Sequence, residues 1–296
     1  MRVSDATNGL QQLRYLSTEG KGTLMALALA RTKDGHPAIK IRHITLAMIR
    51  NPRTGNLQVY SAYPAKEPAE LDEKAFSPSS PEVANENEFA SHAQELIDHY
   101  NQVDRLGRID LERSIPTPWG ASQQRARYTD GVESVSCAGH GGFLLSPEMN
   151  QKIHPSLRIA SGAYEEDCDW AIVAFCLPNL FTDREKKFAE ASIRNWFPDE
   201  YEQITGKTVT AAESHKRAED EFKRDTADKL VVISAVYSKL VEGMTECTAT
   251  LGGERDARRA KAQRFLVPSD EYRERSPFGF VIDESRHALM ADTTKA

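Results

Sequence analysis

Apolar and polar positions alternate with a period of two through several short runs early in the chain. Thr23-Leu24-Met25-Ala26-Leu27-Ala28-Leu29-Ala30 alternates large and small apolar groups. Ile39-Lys40-Ile41-Arg42 alternates cleanly, Ile44 to Ile49 continues it, and Leu57-Gln58-Val59-Tyr60-Ser61-Ala62-Tyr63 closes the set. A period of two puts alternate side chains on one face of a strand. Lys33-Asp34-Gly35 and Asn51-Pro52-Arg53-Thr54-Gly55-Asn56 supply turns between the runs, since Asp-Gly and Gly-containing stretches accept positive φ. The pattern predicts an antiparallel β-meander over 22–63, preceded by a short helix or a frayed start in residues 1–20, as an N-terminal β region spanning 1–64.

The texture then changes. Residues 64–87 carry four prolines and many acids, the composition of an exposed linker. From Glu88 to Leu106 the apolar residues Phe89, Ala93, Leu96, Ile97 and Tyr100 recur at helical spacing. His92 and His99 on that helix fall at solvent-facing or edge positions, with no third ligand nearby to suggest a metal. Residues 65–115 therefore read as an acidic, Pro-rich linker and a helix.

A larger mixed module follows over 116–290. Gly131 to Ser136 alternates like a strand and Phe143-Leu144-Leu145 reads as a second. Ser146-Pro147-Glu148 opens a short helix, serine capping it and proline suiting its first turn. Glu166 to Phe175 reads as a helix with its acids in the first turn, and Asp183 to Trp196 as another, capped at Thr182 or Asp183. Ala211 to Asp228 has the charge pattern of an exposed helix. Leu230 to Tyr237 and Met244 to Leu251 are strands able to pair, with shorter extended pieces at Phe265–Val267 and Gly279–Asp283. The class is α+β: an N-terminal antiparallel β-meander plus a larger mixed α/β module.

Composition narrows the classes. With 296 residues, 40% of them hydrophobic and 28% charged, the chain can bury a sizeable core. A net charge of -6 argues against non-specific nucleic-acid binding and is too small for a DNA mimic. Cys137, Cys168, Cys176 and Cys247 form no CxxC pair, so reduced thiols are expected. The N-terminus lacks the apolar stretch of a signal peptide, and no apolar run approaches the roughly 20 residues of a membrane helix. A cytoplasmic protein of the host cell, without membrane contact, is the expectation.

Candidate chemistry concentrates in two stretches. Ser136-Cys137-Ala138-Gly139-His140-Gly141-Gly142 sets one histidine among three glycines. Histidine titrates near neutrality and can act as a general base, while flanking glycine amides can cradle an anion. The same residues equally suit a histidine that hydrogen-bonds backbone at a strand-to-strand turn. The second stretch, Glu165-Glu166-Asp167-Cys168-Asp169-Trp170, supplies acids that can orient His140 or hold a divalent cation. They also suit the start of a helix, where the dipole stabilises carboxylates. A Walker loop and a Gly-x-Ser-x-Gly elbow are both missing. The catalytic candidates are His140, Glu166 and Asp167, and the binding candidates Trp119, Ser136, Gly139, Gly141, Gly142 and Glu165. A nucleophilic thiol at Cys137 or Cys168 and phosphate contact by the basic run Arg255 to Arg264 are weaker candidates. Cofactor, metal and oligomeric state are unassigned by these residues.

Thr117-Pro118-Trp119-Gly120, the glycine-histidine stretch, Leu145-Ser146 and Tyr164 to Ala171 together resemble an uncharacterised domain of phage- and plasmid-borne proteins. Phe265 to Pro268, Glu271-Tyr272 and Gly279 to Asp283 resemble a segment that accompanies it, so the resemblance spans roughly 116–285. Cys137 stands where that pattern carries threonine. The resemblance implies a mobile-element accessory protein and no particular reaction. Two functions follow as expectations. One is a non-catalytic binder or inhibitor of a host protein complex, such as a defence system. The other is a hydrolase or transferase acting on a nucleotide or nucleic acid, with His140 as general base and Glu166 or Asp167 as orienting or metal-binding acids.

Overall fold

A computed structural model describes residues 29–256, 258 and 261–290. The chain divides into two units, Arg2–Ile193 and Arg194–Ala296, the boundary falling within the helix Asp183–Trp196. The expected helix or frayed start in residues 1–20 and the run from Thr23 to Ala28 lie outside the described residues. Helices and antiparallel sheets make up the fold, which is α+β.

The first unit opens with a five-stranded sheet in sequence order: β1 (Ala30–Arg31), β2 (Pro37–Ile41), β3 (Ile44–Arg50), β4 (Leu57–Ala62) and β5 (Ser77–Glu82). Alternation explains why both faces are covered. Ile39, Ile41, Leu46, Met48 and Val59 face the helix Glu86–Leu106, whose Phe89, Ala93 and Tyr100 pack on them. Ala38, Ala47, Ile49, Tyr60 and Ala62 face the other way and meet Leu71 and Phe76. Residues 64–87 are therefore more than a linker. They cover the second face of the sheet and add its last strand. Asn85 starts the following helix, its side chain accepting hydrogen bonds from the Asn87 and Glu88 amides.

The same unit carries a second sheet, ordered β12-β11-β10-β9-β6. Its strands are β6 (Ile109–Asp110), β9 (Gln124–Thr129), β10 (Val132–Ser136), β11 (Gly141–Leu145) and β12 (Ala163–Glu165). The hairpin β7 (Pro116–Thr117) and β8 (Gly120–Ala121) pairs apart from it. Tyr128, Phe143 and Phe181 pack ring against ring at 5.0–5.6 Å, and the Arg108 guanidinium stacks 3.9 Å over Tyr128. Arg108 also holds buried Glu185 through two parallel hydrogen bonds of 2.9 and 2.6 Å. Glu185 accepts from the Thr182 amide while Thr182 Oγ1 accepts from the Glu185 amide, a reciprocal cap on the helix Asp183–Trp196.

His99 corrects the sequence expectation. It is 2% exposed, and its Nδ1 lies 2.8 Å from Thr182 Oγ1. Burial drives its pKa down to about 4, so it is neutral in the folded protein at neutral pH. His92 is half-buried, and burial lowers it to about 4 as well.

The second unit holds a sheet ordered β13 (Leu230–Tyr237), β14 (Met244–Leu251), β15 (Gln263–Pro268) and β16 (Ala288–Leu289). Leu230, Cys247, Ala249, Phe265, Val267 and Ile282 form its core. The long polar helix is shorter than 211–228: it runs His215–Asp225, with the Ser214 hydroxyl accepting from the Arg217 amide. The expected extended piece at Gly279–Asp283 forms isolated bridges only, Val231 to Val281 and Ser276 to Gly279. Within the basic run, Arg258 pairs with Asp256 and Arg264 with Glu246, while residues 257, 259 and 260 lie outside the described set.

Candidate functional site

The glycine-histidine stretch is the turn of the β10–β11 hairpin. Ser136 pairs with Gly141, so Cys137, Ala138, Gly139 and His140 form the loop, closed by the Cys137 amide donating to the His140 carbonyl at 2.7 Å. Ala138, Gly139 and His140 project into solvent, whereas Gly141 and Gly142 are buried strand residues. His140 thus stands where the loop re-enters the sheet.

Gly142 is the position where glycine is required. Its φ is +153°, and a Cβ there would come within 2.0 Å of the Tyr164 carbonyl oxygen and 2.9 Å of Trp119 Cη2. Only a missing side chain lets β12 approach this closely. Gly142 is in register with Glu165, the last residue of β12. The close approach therefore delivers Glu165 to His140, with His140 Nδ1 3.2 Å from Glu165 Oε1. Glu165 Oε2 accepts from the Asp167 amide at 2.7 Å, which fixes the other end of the carboxylate. The Glu166 amide donates to the Gly141 carbonyl at 2.9 Å, and Glu166 is 5% exposed.

Ligand atoms of His140, Glu165 and Glu166 all lie within 4.8 Å of one another. Donors around one divalent cation at roughly 2.0–2.6 Å are no more than about 4–5 Å apart. The spacing of these three side chains fits that requirement.

The acids do not begin a helix, contrary to the sequence expectation. Glu165 ends a strand, residues 166–169 form a turn, and the helix is Trp170–Cys176. Sheet register, rather than helical spacing, brings Glu165 and Glu166 to His140. Asp167 is exposed and outside the three-residue cluster. Burial raises the Asp169 carboxyl above its usual range, with the Glu165 charge adding to the shift. Trp170 is buried, with Val173 and Ala174.

Trp119 sits on the turn of the β7–β8 hairpin, its amide donating to Thr117 Oγ1 at 3.1 Å. Thr117 Oγ1 also lies 3.3 Å from Cys137 Sγ, so this hairpin rests on the histidine loop. Trp119 is half-buried. Ser136 pairs on both sides in the sheet, and its carbonyl accepts from the Gln123 amide. Cys137 is buried in these contacts, and burial pushes the Cys168 thiol up to about 11, aided by the neighbouring acids. Neither thiol has the environment of an activated nucleophile.

An exposed histidine held by a strand-end glutamate on an antiparallel sheet defines this part of the molecule. Residues 112–227 match the model of a family described as a domain of unknown function (DUF7007). The match takes in every candidate residue from Trp119 to Asp167. It leaves outside the N-terminal five-stranded sheet, the sheet β13–β16 and the C-terminal residues that enter the resemblance. No curated protein and no solved structure matches the chain significantly. Among the described residues, no helix is long and apolar enough to cross a membrane.

Proposed function

We propose that the module around His140 is a hydrolase or transferase acting on a nucleotide or nucleic acid. One observation carries the reading: His140 Nδ1 faces Glu165 Oε1 at 3.2 Å while 64% of the His140 side chain stays open to solvent. With Nδ1–H donated to the carboxylate, the Nε2 lone pair points away from Glu165 and is free to take a proton. Glu165 holds the tautomer and stabilises the imidazolium that forms, and the Asp167 amide holds Glu165. A water or hydroxyl at Nε2 gives its proton to the imidazole as its oxygen bonds to the phosphorus of the substrate; the bond from phosphorus to the leaving oxygen breaks, and the imidazolium returns the proton to that oxygen. Trp119 beside Gly142 offers an aromatic surface for a base. Glu166 would complete a donor set for a divalent cation, and a cation held there would make His140 a ligand instead of a base.

The test is purified protein on a panel of nucleotides and nucleic acids, with and without chelator. His140→Ala should lower turnover by about 10²–10⁴-fold with an unchanged melting temperature. Glu165→Gln should lower kcat with little change in KM, as expected when the group that orients the base is lost. Undiminished activity in His140→Ala, or its unfolding, would defeat the assignment. Loss on chelation, restored by Mn²⁺ or Mg²⁺, selects the ligand role.

The open site also favours a second reading, since Ala138, Gly139, His140 and Asp167 all project from the surface. In it the protein is a phage- or plasmid-encoded accessory factor that binds or inhibits a host protein complex, such as a defence system, without catalysis. Pull-down of a stoichiometric host partner, lost in His140→Ala, together with inactivity on every nucleotide, supports it over the first.

A further inference from the structure

β13 is the edge strand of the second unit's sheet, and among the described residues only half of that edge is covered. The Val232 amide donates to the Phe280 carbonyl at 2.9 Å and the Ile282 amide to the Leu230 carbonyl at 2.8 Å. Beyond Val232 the strand bulges and continues to Tyr237 with no strand on its outer side among the described residues. The Ser238 amide donates inward to Met244. By the alternation of an antiparallel ladder, Ser234 and Val236 also bond inward, so Ala235 and Tyr237 turn their amides and carbonyls outward.

Edge strands are normally blunted by charge, proline or a covering segment. Residues 230–238 carry no charge and no proline. Instead the open end of the strand is apolar: Val236 is 60% exposed and Tyr237 75%, and on the following turn Leu240 (81%) and Val241 (43%) lie between exposed Lys239 and Glu242.

We propose that this edge pairs with the same edge of a second copy, as an antiparallel dimer with Val236 on the two-fold axis. In that register Ala235 of each copy lies opposite Tyr237 of the other, and the outward groups exchange four hydrogen bonds. Val236 meets its counterpart directly. Ala235 already packs against the core of its own sheet, so Tyr237, on the same face, extends that core across the junction. A second copy fits where a charged strand would not, because a two-fold pairing of uncharged strands sets no like charges against each other. Length also fits: β13 ends at Tyr237, so each chain turns away before reaching the segment that caps Val232 of the other. Of the exposed apolar residues on the paired strand, Tyr237 is the large one, an aromatic that buries about 150–250 Å². A short strand pairing of this kind stays well below the ~1,200–2,000 Å² of stable interfaces, which points to a weak, concentration-dependent dimer.

Sedimentation velocity of the full chain across concentration tests the pairing. Dimer should accumulate with concentration, and Val236→Lys should weaken it at least tenfold without lowering the melting temperature. Val236→Cys should form a disulfide-linked dimer on oxidation beyond any seen in the parent chain, because opposed residues at a non-hydrogen-bonded site sit about 4.5 Å apart between Cα atoms. A monomer up to about 1 mM, where an association of only ~4 kcal/mol would register, overturns the proposal. So does a dimer that withstands Val236→Lys, or one that fails to cross-link through residue 236.

Discussion

Gly139 and Gly142 lie three residues apart in one motif, yet alanine should affect them in opposite ways. At Gly142 an added Cβ would sit 2.0 Å from a backbone carbonyl, and the backbone holds φ at +153°. The carbonyl belongs to β12 and cannot rotate aside as a side-chain tip would, so β11 and β12 must separate. Overpacking of this kind costs about 1–3 kcal/mol, and a residue with a Cβ at so unusual a φ costs about 1–3 kcal/mol more. A loss of about 2–6 kcal/mol follows. In a unit the size of Arg2–Ile193, each kcal/mol lowers the melting temperature by about 2–4 °C, giving a fall of about 4–24 °C. At Gly139 nothing lies within 4 Å of the added carbon and φ is not positive, so Gly139→Ala should stay within about 0.5 kcal/mol. Differential scanning calorimetry of the two variants beside the parent reads both. A Gly142→Ala protein melting within about 2 °C of the parent, on the scale just given, would refute the claim that glycine sets the approach of β11 to β12.

Three further outcomes follow from buried groups. Glu185→Gln should cost about 3–5 kcal/mol in urea unfolding, because it strands the buried Arg108 guanidinium; replacing both residues with Leu and Met should recover most of that. His99 titrates near 6.5 unfolded and about 4 folded, so the unfolded chain binds the extra proton between those values. Its contribution is therefore complete above about pH 6.5 and disappears as pH falls towards 4, about 3 kcal/mol in all; unfolding at pH 7 and pH 4.5 should show a slope that His99→Gln reduces. Cys168, pushed up to about 11, should react with iodoacetamide only slowly at pH 7.5, and rapid labelling there, located by mass spectrometry, would contradict its burial.

Strands with one apolar face were legible in the sequence because alternation is a local signal. β2, β3 and β4 fall where Ile39–Ile41, Ile44–Ile49 and Leu57–Tyr63 predict them. β5 escaped because Pro78 and Pro81 mark a loop, yet it is an edge strand, where a missing amide goes unnoticed. Leu71 and Phe76 escaped for another reason: each is a lone apolar residue in a polar run, and its partner lies across the sheet. At the site, the residue types were readable and their arrangement was not. The acids look like a helix start, and only the pairing of Gly142 with Glu165 reveals that a strand carries them. His99 and Thr182 are 83 residues apart, a separation at which no local pattern speaks.

Trp119 stands against Gly142, and Gly142 against the strand that ends in Glu165. The other two tryptophans, Trp170 and Trp196, lie on helices elsewhere in the sequence. A chain in which those two are replaced by phenylalanine would keep a single indole at the edge of the histidine site. Its emission would then report on the seam between β11 and β12 at Gly142, a built-in optical probe for any ligand that reaches that seam.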